Sequence, residues 1–160
     1  MQFETQLLGI LPRLRRFAHA LARDGADADD LLQAAVERGL MRRDQWEPGT
    51  RLDSWMYRLM RNLWIDTVRA TNRRGETFVP PEAGEQVGTG GGQEDAVELG
   101  NVGRALGTLP PEQREAIALV LVEGFAYREA ADILDIPMGT LTSRLARGRE
   151  ALMARLGEAA

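Results

Sequence analysis

The chain has 160 residues, of which 44% are apolar and 28% charged, with a formal net charge of −4 and no cysteine. That supplies enough apolar material for a core and excludes disulfide and thiolate chemistry. The start, MQFETQLLGILPRLRR, lacks the basic-then-apolar order of a signal peptide. The longest apolar run, AIALVLV at 116–122, falls far short of the roughly 20 residues that span a bilayer. A cytoplasmic protein without membrane insertion is expected. All 20 basic residues are arginine, a composition that a GC-rich coding sequence favours and whose planar fork also suits phosphate and guanine edges. His19, set among Leu, Phe and Ala, is assigned to the core or its boundary, because nothing nearby completes a metal site. Neither metal nor cofactor is expected.

Helical periodicity runs through nearly the whole chain. A first helix over about 2–23 carries Phe3, Leu7, Ile10, Leu14, Phe17 and Leu21 at steps of three and four. DGADADD breaks it and supplies capping acids for a second helix over about 27–42. After the turn WEPGT, Thr50 and Asp53 have capping-box spacing, and a third helix is expected over about 51–74. Its apolar face is Leu52, Trp55, Met56, Leu59, Met60, Leu63 and Val68, and its end, RATNRR, turns basic. Residues 75–94 hold two prolines, six glycines and several acids without periodicity, the composition of a flexible linker. Beyond it Pro111 and Glu112 open a helix that Gly124 is placed to end. The expected fold is all-α: a helical domain over 1–74, the acidic linker over 75–94 and a second helical domain over 95–160, the two free to move relative to each other.

The stretch YREAADILDIPMGTLTSRLARGRE has the pattern of a helix-turn-helix. Ala130, Ile133 and Leu134 pack a short helix over 127–134, Asp135 and Pro137 fix the turn, and Leu141, Leu145 and Leu152 of the next helix face inward. The first half of such a second helix enters the major groove. Left outward are Thr140, Thr142, Ser143, Ala146 and Arg147, with Arg144 and Arg149 flanking; Tyr127 and Arg128 open the preceding helix. Short hydroxyls and an arginine suit base edges, and flanking arginines suit phosphates.

Taken in order, DADDLLQAAVERGL, RLDSWMYRLMRNLWIDTVRATNRR, a linker, LPPEQREAIALVLVEGFAYREAADIL and IPMGTLTSRLARGRE resemble the extracytoplasmic-function (ECF) sigma factors of bacterial RNA polymerase over essentially the whole chain. The resemblance implies a two-domain initiation factor. Its N-terminal domain would bind the clamp helices of the largest polymerase subunit and melt the promoter −10 element. Its C-terminal domain would dock on the flap of the second-largest subunit and recognise the −35 element. It also implies an anti-sigma factor as partner.

Carried over by position, DLLQ matches the clamp-binding segment, with Asp30, Leu31 and Gln33 as contacts and Glu37 and Arg38 behind them. The family usually has an acid after this glutamine, where this chain has Ala34. SWMYRLMRNLWIDTVR matches the −10 segment: Asn62 and Asp66 occupy its most characteristic positions, and Arg58, Arg61, Arg69, Arg73 and Arg74 suit the backbone of a melted strand. Trp55, Tyr57 and Trp64 are the aromatic candidates there; Trp55 belongs to the apolar stripe and Trp64 lies off it. In the −35 reader the family commonly has a basic residue at Thr142 and an aromatic or His at Ala146. Fewer direct base contacts are therefore expected, with more weight on Ser143, Arg147 and duplex shape.

The segment 76–98 contributes six acids and no base, leaving 20 Arg against 18 acids elsewhere. Uniform phosphate attraction is then weak, and the free protein is expected to bind duplex DNA poorly. Three other readings fare worse. An enzyme lacks its groups, for GTGGGQ has neither the Lys nor the strand of a P-loop. A stand-alone helix-turn-helix regulator leaves the 30–33 and 52–74 patterns without a purpose. A sigma-like decoy that titrates an anti-sigma factor has no need of arginines in both DNA-facing segments, and an attached receiver domain is not expected.

Overall fold

The computed structural model describes residues 2–73 and 100–159; the expected linker at 75–94 and Arg74 lie outside the described residues. Within them every regular element is helical. The N-terminal half contains α1 (Gln2–Ala22), α2 (Gly25–Met41), a 3-10 turn (Arg43–Gln45) and α3 (Leu52–Arg73). The C-terminal half contains α4 (Gly100–Gly107) and α5 (Pro111–Ile117), which runs on into a π-helical turn (Ala118–Val122). It ends with α6 (Tyr127–Leu134) and α7 (Met138–Ala159).

Local chemistry sets these boundaries. Asp24 caps α2, its side chain accepting from the Ala26 N–H at 2.9 Å. Pro111 occupies the first turn of α5, where its missing N–H costs nothing. Gly124, at φ 79°, turns the chain after Glu123. Asp135 closes α6 at φ 56°, and the Ile136 N–H reaches back to the Ala131 carbonyl at 3.0 Å. The capping box expected of Thr50 and Asp53 does not form. The Thr50 hydroxyl donates to the Glu47 carbonyl at 2.6 Å, because the Asp53 carboxylate is taken by Arg51 at 2.7 Å and Arg13 at 3.2 Å.

Helices α1, α2 and α3 pack on one another through Leu7, Leu14, Phe17 and Leu21, Leu31 and Ala35, and Leu52, Met56 and Met60. In the C-terminal half α4, α5 and α6 all pack on α7, with Ile117, Leu119, Ile133, Leu134, Leu141 and Leu145 almost fully enclosed. His19 is half-buried, as its setting suggested, and its Nε2 lies 3.8 Å from Asp29.

The two halves pack on each other in this structure. Their buried residues form one continuous cluster, with α3 against α6 and α1 against α5. Tyr57 is the seam: it stacks on Phe17 at 4.9 Å and meets Phe125 edge-on at 5.0 Å. Each such pair adds about 0.5–1.5 kcal/mol beyond area burial. Bundles of this size bury a modest share of their surface separately, so docking on each other adds stability.

Candidate nucleic-acid interface

Leu141 and Leu145 anchor α7 inward, which turns the other side of its first turns to solvent. Thr142, Ser143, Ala146, Arg147 and Arg149 are exposed there, with Thr140 and Arg144 half-buried. The Thr142 hydroxyl donates back to the Met138 carbonyl at 2.9 Å, so its proton is engaged within the helix. Arg149 Nη2 donates to the Tyr127 hydroxyl at 3.2 Å and ties α7 to the head of α6, where Arg128 is exposed. The structure thus brings the −35 candidates onto one surface, built on helices rather than on loops.

On α3, Arg58, Asn62, Asp66, Arg69 and Arg73 recur at steps of three and four and are all exposed, forming a polar stripe. Arg61, Tyr57 and Trp64 do not belong to it. Tyr57 is fully buried and Trp64 is 8% exposed, so neither presents an open stacking surface here. The reason is geometric: Tyr57, Arg61 and Trp64, at i, i+4 and i+7, form a second inward face, turned toward the C-terminal half. Trp55 is half-buried against Phe3, ring to ring at 6.0 Å, as the apolar stripe implied. On α2, Asp30, Gln33 and Glu37 share an exposed face and Arg38 is half-buried. Leu31 is 5% exposed and sits in the core between Ala28 and Ala35, so it supports that face rather than forming it.

Polar contacts between the halves are dense. Arg61 Nη2 lies 3.2 Å from Glu115 Oε1, and its Nη1 donates to the Leu134 carbonyl at 3.1 Å. Arg16 grips Glu123 with two hydrogen bonds, at 2.6 and 2.8 Å, and the Tyr57 hydroxyl donates to the same carboxylate at 2.7 Å. The Glu123 side chain is 1% exposed, although its main chain is accessible. Arg51 pairs with Glu129, which also accepts from the Ala126 N–H at the head of α6. Two guanidinium groups lie over the Phe125 ring, Arg51 at 5.1 Å and Arg13 at 5.7 Å. Arg114 crosses the other way: its Nε donates to the Ala20 carbonyl at 2.6 Å, at the open C-terminus of α1.

Burial is the largest influence on Glu115, Arg114 and Tyr57. It pushes the Glu115 carboxyl up, against the charges of Arg61 and Arg144, and pulls Arg114 down to about 10. It also raises Tyr57, reinforced by the neighbouring Glu123 carboxylate. Among the described residues no group of three or more His, Cys, Asp or Glu is placed to hold a metal ion, and no helix is long and apolar enough to cross a membrane.

Residues 9–74 match the family described as Sigma-70 region 2, and residues 99–152 match Sigma-70, region 4. The ECF RNA polymerase sigma factor EcfG of Rhodopseudomonas palustris is 36% identical over 94% of this chain and 82% of that protein. The chain belongs to the ECF sigma factors of bacterial RNA polymerase. The RNA polymerase sigma factor CarQ of Myxococcus xanthus is 32% identical over 98% of this chain and 90% of that one. Among solved structures, the sigma factor RpoE in complex with the anti-sigma factor NepR from Bartonella quintana matches at 32% identity. Its TM-score is 0.84 over 98% of this chain and 97% of that one.

As a sigma factor the protein directs promoter-specific transcription initiation, and region 4 is the half that carries the helix-turn-helix. Sequence reasoning found the exposed residues of this sigma factor but missed Tyr57, Arg114, Glu115 and Glu123, which join its halves. One signal was available: Glu115 and Glu123 flank the apolar run 116–122, and acids bordering a buried run need partners.

Proposed function

We propose that the exposed α2 face of Asp30, Gln33 and Glu37, with Arg38 beside it, is the surface that docks on the clamp helices of core RNA polymerase. The exposed stripe of α3, with Arg58, Asn62, Asp66, Arg69 and Arg73, meets the −10 element, and Arg74 extends it in sequence. The outward side of α7, with Thr140, Ser143, Arg144, Arg147 and Arg149, meets the −35 element, assisted by Tyr127 and Arg128. The single observation that carries this reading is the separation of faces on α3 and α7. In each helix apolar residues hold the frame while a continuous polar row of arginine and short hydroxyl or amide side chains stays open. Such a row suits phosphates and base edges.

Docked this way, the C-terminal half also contacts the flap of the second-largest subunit, and polymerase sets the spacing between the two DNA-reading helices. The protein itself performs no catalysis and works in the cytoplasm. Activity is controlled by an anti-sigma factor; the overall match to a sigma factor held by its anti-sigma factor supports this. The test is in vitro transcription: core polymerase plus this protein is expected to start RNA at a defined site. Binding without any start site on fragmented genomic template contradicts the reading.

A further inference from the structure

Two parallel rows run along the open side of α7, and they differ in chemistry. Met138, Thr142 and Ala146 recur at steps of four, the spacing of a ridge on a helix surface, and all three are exposed. Gly139, Ser143 and Arg147 form the neighbouring row and are exposed as well. That row begins without a side chain, and a Cβ added to Gly139 would meet nothing within 4 Å. Met138, 45% exposed, therefore stands at the head of the helix with open space beside it.

The first row is apolar in effect. The Thr142 hydroxyl donates to the Met138 carbonyl at 2.9 Å, within the helix. What Thr142 has left to offer a base is its Cγ2 methyl and an oxygen that can only accept. Nearby cations are partly committed. Arg149 donates to the Tyr127 hydroxyl at 3.2 Å, and Arg144 is half-buried, with its charge felt by Glu115. Residues four apart lie about 6 Å apart along the axis, so the ridge spans roughly three to four base-pair steps.

We propose that α7 reads thymine through its 5-methyl group, with Met138 and Thr142 packing on methyls in the major groove and Ala146 extending the ridge. Thymine is the base that shows an apolar group there, and the first residues of such a helix reach deepest. Thr142 and Ala146, standing where a basic residue and an aromatic or His are common, thus change the kind of base that is read. Arg147 and Ser143, one row over, hold the polar contacts. This assignment rests on the reading of α7 as the −35 helix.

The probe is the promoter from which core polymerase and this protein start RNA, with deoxyuridine replacing single thymidines over the −35 element. Uracil pairs as thymine does and lacks only the methyl. At one or two positions the exchange is expected to weaken holoenzyme binding about fourfold at fixed salt, the effect of returning one methyl-sized group to water. Thr142→Ser keeps the oxygen and removes the methyl, and is expected to abolish the sensitivity at one position. Thr142→Val does the reverse and is expected to keep it. Met138→Gln, similar in length but polar, is expected to abolish the sensitivity at a neighbouring position. Indifference of the wild-type complex to every exchange overturns the proposal. So does a Val variant that behaves like Ser, which would assign the Thr142 oxygen to an adenine or cytosine amino group.

Absence of any start site contradicts the function instead, and a measurement without polymerase then decides. At low salt, the carbon-13 methyl signals of Met138 and Thr142 are expected to shift with a short duplex of alternating adenine and thymine. They are expected to shift less with its deoxyuridine counterpart; equal shifts, or none, refute methyl reading.

Discussion

The Tyr57 hydroxyl donates to Glu123 Oε1 at 2.7 Å, joining the middle of α3 to the turn that follows the π-helical segment. Glu123 has a further donor in Arg16 and an ion pair with Arg13 at 3.6 Å, whereas Tyr57 has this one hydrogen bond among those described. Tyr57→Phe is therefore expected to cost about 1 kcal/mol, the net worth of one hydrogen bond with its acceptor still satisfied. Glu123→Ala leaves the buried phenol unpaired and is expected to cost roughly 2–3 kcal/mol. Chemical denaturation of both variants checks the order; equal losses contradict it.

Arg114 closes the C-terminus of α1 from the other half, donating to Ala20 at 2.6 Å, to Leu21 at 3.4 Å and to its own neighbour Leu109 at 3.0 Å. Lysine carries the charge but not the fork. Arg114→Lys is expected to lose roughly 2 kcal/mol or more, from carbonyls left without donors in a buried site. Thermal unfolding with full recovery in the Lys variant would show that charge alone suffices.

Asp53 gives a pH signature. Burial pushes its carboxyl up, but hydrogen bonds from Arg51 and the Ser54 N–H, with the charges of Arg51 and Arg13, outweigh burial and hold it below its ordinary value of 3.8. A depressed carboxylate stabilises above its unfolded value, and that stabilisation disappears as pH falls through the folded value. Asp53→Asn is expected to cost roughly 1–2 kcal/mol at pH 7. The gap to wild type should hold down to about pH 5 and close in stronger acid. Melting curves across that range decide it, and a gap unchanged in strong acid contradicts the assignment.

Gly148 lets α7 approach α5: a Cβ there would stand 2.9 Å from Ile117 Cγ1, inside a packed core. Gly148→Ala is expected to be near neutral, since the gain in helix propensity of about 1 kcal/mol offsets the crowding. Gly148→Val adds branched bulk and is expected to cost about 1–3 kcal/mol. Equal stability of the two variants contradicts the close approach.

Two substitutions separate the proposed DNA roles. Asn62 and Arg147 are both exposed, so neither should alter the fold. Asn62→Ala is expected to impair promoter opening more than polymerase binding, measured by permanganate reactivity against complex formation. Arg147→Ala is expected to weaken protection over the −35 element by the roughly 1–3 kcal/mol of one arginine–base contact, while the assembled complex persists. An unchanged footprint refutes that contact.

Most of the helices and the open faces were legible in the chain. Local rules decide both: periodicity gave α1 and α6 nearly to the residue, Asp24 and Asp135 marked their neighbouring turns, and the outward row on α7 followed from Leu141 and Leu145. Packing alone reveals which apparently free polar groups are already occupied. Arg61 looks like Arg58 in the chain, and Trp64 lies off the apolar stripe, yet both turn inward because a second bundle covers the far side of α3. A helix packed on two sides shows one face through periodicity. The other, stitched by Tyr57, Arg61 and three glutamates from distant positions, exists only when the two halves meet.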